Sequence, residues 1–77
     1  RLYGNLLLYV EIRADGSLER VEVQRSSGHR ILDEAAMRIV RMSAPYGNFS
    51  AELKRQTDIV AFARTWVFTR ADRLTSE

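Results

Sequence analysis

The hydrophobic period of this chain changes twice, from two to about 3.6 and back to two, and that order leaves few folds open. From Asn5 to Arg13 the residues alternate, with Leu6, Leu8, Val10 and Ile12 on one face and Leu7, Tyr9, Glu11 and Arg13 on the other. A period of two means a strand with one buried face. Asp15-Gly16, within Ala14-Asp15-Gly16-Ser17, follows directly. Both residues tolerate positive φ, so the pair marks a tight hairpin turn. Leu18 to Arg25 alternates again, Val21 and Val23 lying opposite Arg20, Glu22 and Gln24. The first two strands are therefore expected to pair antiparallel.

Ser26-Ser27-Gly28 ends the alternation. Ile31, Leu32, Ala35, Ala36, Ile39, Val40 and Ser43 then recur at three- and four-residue spacing, the stripe of a one-faced helix. Asp33 and Glu34 in its early turns and Arg38 and Arg41 in its late turns suit the helix dipole. Ser27 and His29 both stand open as the residue that caps the first turn. Pro45 disfavours helical geometry at Ala44 and stops the helix. Tyr46 to Thr57 reads as an irregular connection with a helical turn around Ala51 to Arg55. Asp58 to Thr69, rich in β-branched and aromatic residues, is the last strand. Val60, Phe62, Arg64, Trp66 and Phe68 share one of its faces, and Ile59, Ala61, Ala63, Thr65 and Val67 the other. Residues 71–77 read as a polar, frayed tail.

The expected fold is α+β, ββαβ in order, with one main helix packed on one face of a three-stranded, antiparallel-type sheet. A connection of about thirty residues between the second and third strands is ample for a crossover. The third strand then lies antiparallel beside the first, giving the order 2-1-3 and making the second and third strands edges. An edge strand presents unpaired main-chain groups and is a natural site for an added peptide.

Seventy-seven residues make a single domain, 1–77. A chain of this size buries only about 60% of the surface its unfolded form exposes, so modest stability is expected. Cysteine is absent, which removes disulfides and thiolate metal sites. The longest apolar run, Leu6 to Val10, is far short of the roughly 20 residues of a membrane helix. The chain begins at Arg1 and enters a strand pattern almost at once, as a domain cut from a longer protein would.

No catalytic constellation emerges. Ser26, Ser27, His29 and Asp33 include the residue types of a nucleophilic triad, but they fall within one strand-to-helix turn, where serine caps and aspartate meets the helix N-terminus. With a single histidine, no histidine-rich metal site can form in one chain. Gly16 and Gly28 lack the spacing of a phosphate loop and read as turn glycines. No enzyme, no cofactor and no metal are expected. Arginines and one lysine give a net charge of +2. Acidic residues are interleaved with them, which disfavours nucleic-acid binding, although Tyr9 and Trp66 are candidates for stacking on bases. Arg64 is the anomaly: a charge between Phe62 and Trp66 is costly to bury alone. It turns out through a bulge, reaches a carboxylate at the sheet margin, or faces a partner.

Several stretches run in an order that resembles the C-terminal domain of the TonB family of energy-transducing proteins. They are Gly4-Asn5-Leu6-Leu7-Leu8-Tyr9-Val10, Asp15-Gly16, Val21-Glu22-Val23, Ser26-Ser27-Gly28, Leu32-Asp33-Glu34-Ala35-Ala36, Ala44-Pro45-Tyr46 with Phe49, and Arg64-Thr65-Trp66-Val67-Phe68. Phe49-Ser50 stands where the family often has Phe-Pro, and the helix and Tyr-Pro element usual before the first strand do not occur here. The resemblance implies a periplasmic domain of an inner-membrane-anchored protein. Its partners would be TonB-dependent outer-membrane transporters, held through their TonB box, and an ExbB/ExbD-type proton-channel complex reached through a missing N-terminal part. Proton-motive work would thereby drive uptake of iron chelates or cobalamin. The family's pairing strand maps onto Ile59, Val60, Ala61, Phe62, Ala63, Arg64, Thr65 and Val67. The same edge could also pair with itself, so a monomer or a weak homodimer is expected. The alternative is another periplasmic adaptor, TolA-like or secretin-associated, using that edge on other partners, with a small nucleic-acid-binding domain as the third class.

Overall fold

The computed structural model describes residues 3–69 and 74–76. Its elements are β1 (Gly4–Arg13), β2 (Leu18–Arg25), α1 (Arg30–Ser43), α2 (Ala51–Gln56), β3 (Ile59–Phe68) and β4 (Leu74–Ser76). They form one antiparallel sheet in the order β2-β1-β3-β4. The expected 2-1-3 arrangement is present, and a fourth strand extends it. The tail expected over 71–77 is thus corrected at Leu74–Ser76, which pairs with Trp66 to Phe68. Positions 71–73 and 77 lie outside the described residues.

Alternation in β1 produces the core. Leu6 and Leu8 are wholly buried, and Val10 and Ile12 nearly so. Against them α1 sets Ala36 and Val40, and Leu32, four residues earlier on the same stripe, is buried as well. Ala36, fully buried and small, lets the helix axis approach the sheet closely. Each fully buried leucine or valine contributes about 1.5–3 kcal/mol relative to exposure. The helix packs chiefly over β2 and β1 rather than over β3. Trp66 and Phe68 pack against the core margin, whereas Phe62 on the same face stays 43% exposed.

Turns and caps follow from local chemistry. Asp15 accepts bonds from the Ser17 N–H (2.9 Å) and hydroxyl (2.6 Å), closing the hairpin around Gly16 at φ +88°. The N-cap of α1 is His29, with no capping bond from its side chain. Ser27, the other candidate, instead engages Asp33 (2.7 Å) and the His29 main chain. The helix ends at Ser43 before Pro45, as expected. Next, the Tyr46 and Phe49 N–H groups donate to Gly16 O (2.7 Å) and Ala14 O (2.8 Å), tying the connection to the hairpin turn. Ser50 then caps α2 by accepting from the Leu53 N–H at 3.2 Å.

Candidate peptide-binding edge

The register of β3 fixes which main-chain groups are free. β1 and β3 pair without a bulge from Gly4↔Phe68 to Arg13↔Ile59. Beyond that ladder Ala14 N–H donates to Asp58 O at 3.0 Å. In an antiparallel pair, hydrogen-bonded positions alternate with non-bonded ones. Counting from Ala14 and Asp58, the even-numbered residues of β3 direct their N–H and C=O toward β1, and the odd-numbered ones direct theirs outward. Thr57 agrees with this parity. Its hydroxyl donates to Ile59 O (2.7 Å) and accepts from Ile59 N–H (3.3 Å), occupying the outward groups of that residue. At the other end Val67 lies opposite Thr75 of β4.

The open stretch among the described residues therefore runs from Ala61 to Thr65, with outward main chain at Ala61, Ala63 and Thr65. Of the residues marked in the sequence, these three bring their main chain to the free edge. Val60, Phe62 and Arg64 bond inward to β1 and offer side chains only. Ile59 is occupied by Thr57, and Val67 by β4. Sequence reading missed both borders. Thr57 was detectable in principle, since a threonine hydroxyl often bonds the main chain two residues on. Leu74-Thr75-Ser76 is too short to carry a periodic signal.

Side chains of β3 sort by the same parity. Arg64 lies opposite Leu8, and Trp66 opposite Leu6, so both project on the helix side of the sheet. There, Val10, Val40, Ser43, Tyr46, Phe62, Arg64 and Trp66 line a groove of about 170 Å³ between the end of α1 and β3. Arg64 is exposed, reaches its position without a bulge, and has no carboxylate partner among the described residues. The Trp66 Nε1 is buried with no acceptor among the described residues. Ser43 donates to Ile39 O at 2.8 Å, and Tyr46 donates to Val40 O, so both hydroxyl protons are committed. Burial pushes the Tyr46 phenol pKa up.

Tyr9 and Trp66 do not form one stacking platform, because odd and even positions of the paired strands face opposite sides. Tyr9 sits on the helix-free face, donates to Glu11 and lies beneath the Arg20 guanidinium, 5.4 Å from the ring centre. The Ser26, Ser27, His29 and Asp33 group is a turn clamp. Asp33 accepts from the Ser26 hydroxyl, the Ser27 N–H (3.0 Å) and the Ser27 hydroxyl. Desolvation opposes its charge, but these bonds together outweigh it and hold the carboxyl below its ordinary pKa. No bond joins the His29 ring to either serine, and the group lies at the β2–α1 turn, not on β3.

A family model described as Gram-negative bacterial TonB protein C-terminal matches residues 1–69. No curated protein and no solved structure gives a significant match.

Proposed function

The chain belongs to the family of Gram-negative bacterial TonB protein C-terminal domains, and on that premise we propose that the open stretch of β3 takes up the TonB box of an outer-membrane transporter as an added strand. Domains of this family are periplasmic, non-enzymatic parts of energy transducers that engage outer-membrane transporters. The finer reading is that strand addition at Ala61, Ala63 and Thr65 couples an inner-membrane complex of ExbB/ExbD type, reached through sequence upstream, to uptake of iron chelates or cobalamin. The observation that carries it is the bordered gap in the ladder, where main-chain groups between Thr57 and β4 have no neighbouring strand among the described residues.

Each main-chain bond adds about 1 kcal/mol net, and the peptide loses conformational freedom on ordering. A handful of such bonds gives weak, reversible association, as suits a coupling that must be made and broken repeatedly. A backbone-amide NMR titration with a short TonB-box peptide tests the reading. The expected result is shifts concentrated at Ala61 to Thr65. Shifts scattered elsewhere, or none at millimolar peptide, count against it.

A further inference from the structure

Among the described residues, the groove beside β3 carries unmet donors and no acidic side chain. Arg64 has no carboxylate and the Trp66 Nε1 no acceptor among the described residues, while the groove's hydroxyl protons are already spent. Its remaining wall is apolar, from Val10, Val40 and Phe62. At about 170 Å³ it is smaller than the roughly 300–1,000 Å³ that a drug-sized ligand occupies, and it suits one side chain. It also lies on the sheet face toward which every second residue of a strand added at Ala61 to Thr65 must project.

We propose that this groove is a specificity pocket for a single acidic side chain, aspartate or glutamate, of the strand that adds to β3. The inference rests on the edge-pairing reading above. Main-chain bonds hold any extended peptide, whereas the Arg64 guanidinium selects one whose carboxylate falls beside it, with Phe62 and Trp66 supplying the apolar bed. A lysine at that place in the partner meets like charge and is rejected.

The test uses two short acetylated threonine/valine peptides that differ only in one central residue, glutamate or glutamine. Trp66 is the only tryptophan in the chain, so its fluorescence reports the groove, while amide shifts report the edge. The glutamate peptide is expected to bind wild type roughly fivefold more tightly than its twin, the scale of one exposed ion pair. Arg64→Gln should abolish the difference between the two peptides. Arg64→Glu should reverse the preference toward a lysine-bearing version. Equal affinities for wild type, with Ala61 to Thr65 amides shifting, overturn the pocket and leave the edge reading standing. If neither peptide moves those amides, the edge reading fails and the pocket falls with it.

Discussion

Gly16 carries the tightest steric constraint of the described glycines. A Cβ there would stand 2.5–2.8 Å from the main chain of Gly47, and φ is already +88°. Gly28 has a similar φ of +91° but open space around it. Gly16→Ala should therefore cost at least about 2 kcal/mol, combining left-handed strain with displacement of the 46–49 segment, whereas Gly28→Ala should cost about 1 kcal/mol from strain alone. Urea unfolding of the two variants separates these terms. Asp33 gives a second prediction at this scale. Its folded pKa lies below the ordinary 3.8 of the unfolded chain. The folded form thus holds its charge where the unfolded form takes up a proton, so the contribution is complete above that value and is lost as pH falls through the folded pKa. Asp33→Asn should remove this acid-side slope, and thermal melts between pH 5 and pH 2 would show a flatter decline than wild type.

Parity along β3 predicts opposite outcomes for neighbouring prolines. At Ala63 the missing N–H points outward, and edge strands tolerate proline. Ala63→Pro should keep the fold and lose strand addition, as read by circular dichroism together with the amide titration. At Arg64 the N–H serves the ladder to Leu8. Arg64→Pro should destabilise the domain itself, with a lowered melting temperature even before any peptide is added. If the two variants behaved alike, the assignment of outward groups would be wrong. How far the sequence reveals these elements depends on their length. β1, β2 and α1 each run long enough for periodicity to show, and Asp15-Gly16 and Pro45 punctuate them. The order 2-1-3 followed from connection rules alone. β4 escaped notice because three residues have no period and become a strand only where Trp66 to Phe68 offer a ladder. The candidate site was half legible. Alternation marked Ala61, Ala63 and Thr65 together, but choosing the bonded set needs the Ala14–Asp58 hydrogen bond, and no residue pattern records that. Arg64 stood out as a charge among aromatics, while its groove depends on α1 leaning over β1 and β2, a tertiary fact.

For the whole molecule, the sheet has one helix-covered face, an outer edge at β2 and, on β3, an open stretch of limited extent among the described residues. A chain ending at Thr69 lacks β4 and exposes the outward main chain of Val67 as well. Its uncovered strand edge is then longer and is expected to pair with a second copy more readily. Sedimentation velocity across a concentration series should show a larger dimer fraction for the shortened chain than for residues 1–77. Unchanged monomer content would mean that β4 does not restrain self-pairing. Net charge is only +2, so repulsion between copies is weak and the sheet edge decides the outcome.

The two borders of the gap also make it a ruler. From Ala61 to Thr65 the strand advances about 13 Å at roughly 3.3 Å per residue, and beyond those limits a guest meets the Thr57 side chain or β4. A guest is thereby measured as well as bound: a few extended residues fit flush, and a longer extended segment must bend away at both ends. The same measure guards against runaway growth, since a sheet that seats only a short segment is a poor template for stacking copy upon copy.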